Sequence, residues 1–208
     1  MQKKLTLEQQ TNILDVATKE FGEKGLDGAN INVIAKLSDV SVGVIYKYYS
    51  NKEKLFSACL ARSLSHLEET LKKETEGVSD IETAMSALIS AAISFSKEHK
   101  NEICMYHWIT TVSGDAAVSY AAEIETVSSK LYKEIISKAK SDGLVHGDMD
   151  PFAFAFFFDN LLMMLQFSYG CDYYRKRLEM YMGKNVMNHD ELLQKQLMDF
   201  LKRGFQME

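Results

Sequence analysis

Residues 38–56 read SDVSVGVIYKYYSNKEKLF, and this stretch decides the fold. Ser41 can cap the helix that follows it, because its hydroxyl accepts from backbone N–H groups two or three residues on that have no partner inside the helix. Ser50 and Glu53 stand in the S-x-x-E capping-box relation, so a second helix is expected to open near Asn51 or Lys52. Between these caps Val44, Ile45, Tyr48 and Tyr49 form a mixed apolar face, while Val42, Gly43, Tyr46 and Lys47 fall near the helix N-terminus or on the other side. A helix of two turns is not stable alone in water, so tertiary contacts must present it.

One step towards the N-terminus, Asn30 is a candidate N-cap for 31–37, where Ile31, Ile34, Ala35 and Leu37 recur at helical spacing. Short helix, turn at Ser38 to Val40, short helix is the helix-turn-helix pattern. In that geometry the second helix enters the major groove with its first residues towards base edges. Val42 then suits a thymine methyl, Lys47 a guanine edge or a phosphate, and the hydroxyls of Tyr46 and Tyr48 suit phosphates.

Further out, Ile13, Ala17, Phe21, Gly25, Ile34-Ala35, Val40, Ser41, Gly43, Tyr46, Tyr48, Tyr49, Lys52 and Leu55 resemble the N-terminal DNA-binding signature of the tetracycline-repressor (TetR) family. The signature covers about the first quarter of the chain, and its many spaced positions make chance agreement small. Two positions depart from it: Asn30 stands where Thr is usual, and Ser38-Asp39 where Ala-Gly is usual, which adds a negative charge beside the DNA-facing side. The resemblance implies a homodimeric regulator of double-stranded operator DNA with a small-molecule effector in its second domain. It also turns Lys52, otherwise a surface lysine, into an expected phosphate contact.

Composition sets the wider frame. The chain has 208 residues, 46% of them hydrophobic, and a single proline. It is long enough for two helical domains, and proline is excluded from helix interiors. No β alternation is sustained, so the expected fold is all-α: a three-helix helix-turn-helix domain at 1–51, a linking helix at 52–76, and a larger dimerisation and effector domain at 77–208. Residues 1–55 carry 8 Lys+Arg against 7 Asp+Glu, net +1, and residues 56–208 carry 16 against 22, net −6. Acidity therefore sits away from the motif, as expected of a selective dimeric binder rather than one held by bulk charge. Cys59, Cys104 and Cys171 are odd in number and lack a CxxC pair, which favours free thiols in a reducing compartment. MQKKLTLEQQ lacks a signal-peptide core, and no run of about 18 apolar residues is evident, so a cytoplasmic location with no membrane is expected.

Taken in order, Lys3 and Lys4 precede a Thr6/Gln9 capping box, and the pair suits a phosphate or minor groove as well as a solvated tail. Gly22, Gly25 and Gly28 are no phosphate loop, since no strand precedes them and no Gly-Lys-Ser/Thr follows; Gly25 suits a helix C-cap. Helices are expected from Lys52 to Glu76, from Asp80 to Lys100, around Ile103–Thr110, from Asp115, from Phe152 to about Met182 and from Glu191 to Phe205. The segment FAFAFFFDNLLMMLQFSYG is apolar almost all round, so it needs cover on more than one side, and a second copy of the chain is the economical cover.

Aromatic and Met residues concentrate in the second domain, and each serves a core or dimer interface as readily as a pocket. Tyr106, Trp108, Phe156, Asp159, Met163 and Phe167 are the candidate effector contacts, on the resemblance. Asp159, inside the apolar helix, needs a partner such as Arg175, Lys176 or Arg177 of a second copy, or a ligand cation. His99, Cys104 and His107 fall short of a zinc set, so no metal and no cofactor is expected. No nucleophile elbow, HExxH or nucleotide fingerprint appears, and no catalytic residue is assigned. A helical interaction module and a cofactor-free helical enzyme are the competing classes.

Overall fold

The computed structural model describes residues 5–78, 80–141, 143 and 150–204. Among them, ten α-helices and one short 3-10 turn account for the regular structure, and no strand occurs. Contacts divide the chain into two units, Met1–His66 with Asn101–Ala117, and Leu67–Lys100 with Val118–Glu208.

The first unit is built on α1 (Leu7–Gly28), α2 (Ile31–Leu37), α3 (Val42–Tyr49), the first part of α4 (Lys52–Thr75) and α6 (Lys100–Ile109). α1 opens on the expected capping box: Thr6 Oγ1 accepts from the Gln9 N–H at 3.2 Å and Gln9 Oε1 from the Thr6 N–H at 3.0 Å. Its regular part ends at Gly25, whose combination of φ 69° and ψ 176° is essentially restricted to glycine. Ile13, Ala17, Phe21, Ile34, Ile45, Leu55, Phe56 and Cys59 are buried together as its core. Burial pushes the Cys59 thiol up to about 11, so it stays protonated.

Two glycines let α6 approach α1. A Cβ on Gly22 would stand 2.8 Å from the Asn101 carbonyl oxygen, and one on Gly25 would stand 1.9 Å from Trp108 Nε1. The indole fills that gap and meets Phe56 edge-on, with ring centroids 5.5 Å apart; Phe56 meets Phe21 in the same way at 5.1 Å. Arg62 then ties α4 to α1 through Asp15 at 2.8 Å and the Thr11 carbonyl at 3.3 Å.

The second unit contains α5 (Ile81–Glu98), most of α7 (Asp115–Ser141), α8 (Pro151–Gly170), α9 (Asp172–Met182) and α10 (Asp190–Gly204). Asp80 caps α5 by accepting from the Thr83 N–H, and Asp150 caps α8 ahead of Pro151 by accepting from the Phe152 N–H at 2.7 Å. α8 lies at the centre, with Phe154, Phe158, Leu162 and Leu165 buried against Met85, Ile89, Tyr132, Ile136 and Leu201.

Three expectations change. The single helix from Phe152 to Met182 is two helices, because the backbone turns extended at Cys171 (φ −117°, ψ 132°). Gly170 weakens the helix there, Asp172 favours a new N-terminus, and Arg175 donates to the stranded Tyr169 carbonyl at 3.1 Å. Second, Ser50 does not cap α4. It closes α3 at φ 64°, and Asn51 Oδ1 accepts from the Lys54 N–H at 2.8 Å in its place. Third, Pro151–Gly170 is long and apolar enough by length and composition to cross a bilayer. Nine of its 20 residues are buried within the second unit. Phe205, the expected end of the last helix, lies outside the described residues.

Candidate nucleic-acid interface

α2 and α3 are fixed by caps before any side chain faces outward. Asn30 Oδ1 accepts from the Asn32 N–H at 2.9 Å and begins α2, so its amide oxygen is occupied in capping. In the turn, the Ser38 N–H donates to the Ile34 carbonyl at 2.9 Å and the Val40 N–H to the Ala35 carbonyl at 3.0 Å. Asp39 must take φ 54°, a left-handed conformation that glycine adopts more cheaply. Ser38 is buried, and its hydroxyl has no hydrogen-bond partner among the described residues. The departures from the usual Ala-Gly thus carry a cost at both positions.

Ser41 Oγ accepts from the Val44 N–H at 3.3 Å and starts α3. The helix then sorts its side chains by spacing. Ile45 is fully buried, Val44, Tyr48 and Tyr49 are half-buried, and Gly43, Tyr46 and Lys47 are exposed; Val42 is half-buried at the first turn. Burial pushes the Tyr49 phenol up, and the nearby Cys59 adds to the effect.

Two of the expected contacts are engaged within the chain. Tyr48 Oη accepts from the Leu5 N–H at 2.7 Å, which leaves its own O–H to donate elsewhere. The Lys52 ammonium donates to the carbonyls of Asp27 at 3.0 Å and Ala29 at 3.3 Å, so it closes the junction of α1 and α2. The sequence signal for that role was Gly25: a helix ending there leaves carbonyls for a cation to bind. Lys4 lies outside the described residues.

Of the residues expected at an effector, Phe156, Asp159 and Met163 meet in one groove of about 520 Å³ between α7 and α8, with Glu125 and Tyr132. Burial pushes the Asp159 carboxyl up to about 7, Glu125 adds to the rise, and a hydrogen bond from Ser128 opposes it. Phe156 stands on an exposed ridge with Phe152 and Phe157. Phe167 is a core residue, tilted against Tyr174 at 5.4 Å, and does not line that groove. Tyr106 and Trp108 belong to α6 in the first unit. Trp108 fills the gap at Gly25, a role hidden in the sequence because the indole is 83 positions beyond the glycine it meets.

Residues 13–59, which hold the core of the first unit and all of α2 and α3, match the family described as bacterial regulatory proteins, tetR family. The uncharacterised HTH-type transcriptional regulator YhgD of Bacillus subtilis is 26% identical over 150 residues, 71% of this chain and 75% of its own. Two solved structures share the fold. FadR of Bacillus subtilis in complex with stearoyl-CoA has a TM-score of 0.73 at 15% identity, covering 91% of this chain and 97% of its own. AibR in complex with isovaleryl coenzyme A and operator DNA has a TM-score of 0.65 at 21% identity, covering 76% and 85%. With the capped helix pair, the buried Ile45 and the outward Tyr46 and Lys47 in place, residues 13–59 are a DNA-binding region of the tetR family of bacterial regulatory proteins.

Proposed function

We propose that this protein is a transcriptional repressor that binds a pseudo-palindromic operator as a homodimer and leaves it when a small molecule occupies the second unit. The observation that carries the DNA-binding part is the sorting of α3: Ile45 anchors it, and Gly43, Tyr46 and Lys47 face away from the core. Gly43 adds to this. A Cβ there would find nothing closer than Ser41 Oγ at 3.8 Å, so the fold of the chain does not require glycine. A missing side chain on an outward face admits a close approach from outside, as a phosphate backbone would make.

A second copy is supported by the exposed apolar ridge of α8, Phe152, Phe156 and Phe157, and by Leu192 and Phe200 on α10. These faces suit a four-helix contact across a two-fold axis, which sets two reading helices about 34–36 Å apart. Complexes of AibR with a coenzyme A thioester and operator DNA, and of FadR with stearoyl-CoA, support an effector-responsive reading. The coupling is a free energy: an effector that favours a dimer with mis-spaced helices weakens DNA binding, and DNA weakens the effector equally. Such a protein acts in the cytoplasm, where its operator is.

The test is fluorescence anisotropy with duplexes from the region upstream of the protein's own coding sequence, across a salt series. Sequence-dependent, salt-sensitive binding with one dimer per site is expected. Lys47→Ala should weaken it about tenfold with the melting temperature unchanged, and Tyr46→Phe should cost about 1 kcal/mol if its hydroxyl meets a phosphate. Equal affinity for unrelated duplexes at all salt concentrations refutes the reading.

A further inference from the structure

The second unit holds a cavity that none of the residues expected at an effector lines. It lies against α8, α9 and α10 and measures about 460 Å³, within the range of small-molecule sites. α8 contributes positions 161, 164, 165 and 168 to it, whereas the groove at Asp159 takes 152, 155, 156, 159, 160 and 163. By helical spacing these sets lie on opposite flanks of α8. The two spaces are therefore separate.

Leucines from three helices form the wall: Leu161 and Leu165 of α8, Leu178 of α9, and Leu193 and Leu197 of α10. A single charged group, Arg177, stands on that wall, and no carboxylate is among the described residues that line it. Its two basic neighbours are engaged elsewhere. Arg175 pairs with Asp172 at 3.6 Å, and Lys176 pairs with Glu179 at 3.7 Å. Arg177 has no carboxylate partner among the described residues; its guanidinium lies over the Tyr181 ring, 5.7 Å from the centroid. It is exposed, so a head group held there keeps part of its hydration. α9 sinks no side chain fully into the core and is bounded by breaks at Cys171 and Gly183.

We propose that this cavity binds an amphiphilic anion, with an acyl chain along the leucine wall and a negative head group at Arg177. The aliphatic wall rejects sugars and polyols, which would strand their hydroxyls. The lone cation rejects amines and selects a carboxylate or phosphate. This deepens the effector reading above and rests on it only for its regulatory meaning.

Isothermal titration of the full chain, without DNA, reads the binding directly. The probes are hexanoate, octanoate, decanoate and dodecanoate, the matching 1-alkanols and alkylammonium ions, and the corresponding acyl-CoA thioesters. Saturable binding of one carboxylate per chain is expected, tighter by about fourfold per added methylene until the wall is covered. The alkanols should bind at least about tenfold more weakly and the ammonium ions not at all. Arg177→Met should cost the carboxylates about ten- to hundredfold and leave the alkanols unchanged. Leu161→Trp, which fills the space, should abolish binding of all chains while near-ultraviolet dichroism stays native. Tighter thioester than free acid, with the same penalty in Arg177→Met, assigns the chain to a coenzyme A carrier; the reverse order assigns it to free acids. Equal affinity for alkanol and carboxylate, indifference to Arg177→Met, or no saturable binding overturns the proposal. So does an altered monomer–dimer equilibrium in Arg177→Met with no chain bound, which would give the cavity to a second copy. Because no DNA is present, failure here leaves the operator reading intact, and failure of that reading leaves this binding intact.

Discussion

Replacing Gly25 by alanine tests the packing on which the DNA-binding unit rests. The backbone there has φ 69° and ψ 176°, a region that is essentially restricted to glycine and costs other residues about 1–3 kcal/mol. Rotating out of it to avoid that strain would instead break the bond from the Ala29 N–H to the Gly25 carbonyl, 3.1 Å long. The new Cβ would also stand 1.9 Å from Trp108 Nε1 and 2.5 Å from Cδ1, so the indole must leave and lose its edge contact with Phe56, worth about 0.5–1.5 kcal/mol. Against this, alanine restricts the unfolded chain and returns about 0.4–1 kcal/mol. The net loss is about 2–3 kcal/mol, a lowering of the melting temperature by roughly 7 °C for a chain of this size. Trp108 is the sole tryptophan, so its emission reports on this site alone. Urea unfolding followed by fluorescence should show a lower midpoint and, in the native baseline, emission shifted to the red. A variant within about 0.5 kcal/mol of the parent with unshifted emission would refute the account of Gly25 and Trp108.

Other substitutions probe single features. Ser38→Ala removes a buried hydroxyl that lacks a partner and should stabilise the chain by about 1 kcal/mol, read as a higher urea midpoint. Asp39→Gly relieves a left-handed residue and should add about 0.5–1 kcal/mol; a lower midpoint would show that the aspartate makes an unseen contact worth more than the strain. Asp159, with its carboxyl pushed up to about 7, binds its proton more tightly in the folded chain than in the unfolded one. Stability should therefore be fullest below about pH 4 for this group and fall as pH rises to about 7. Asp159→Asn should remove that decline and gain about 2–4 kcal/mol at pH 8, and a parallel pH profile for both proteins would contradict it.

The caps made the first unit legible. Thr6/Gln9, Asn30 and Ser41 each announce a helix start by a local rule, and each accepts the predicted N–H. The periodicity of Ile13, Ala17 and Phe21 gave the core face for the same reason, since helical spacing is a property of neighbours. What failed depended on residues far apart. Gly22 and Gly25 sit one turn apart on α1, and their purpose appears only when Asn101 and Trp108 arrive against them. The break at Cys171 is hidden in the sequence because the apolar pattern of α8 and the aromatic residues of α9 run together without a proline between them. At the candidate site, the exposed side of α3 could be read from spacing. The leucine-walled cavity could not, because α8, α9 and α10 contribute to it from opposite directions along the chain.

Lys52 holds its ammonium against the carbonyls of Asp27 and Ala29, where α1 gives way to α2. A lysine on a free surface carries about 2 kcal/mol of rotamer entropy that it must surrender to meet a polyanion. Here the surrender accompanies folding. The unit thus offers a fraction of its positive field already immobilised, and replacing Lys52 by an unanchored cation elsewhere would preserve the net charge while losing that head start.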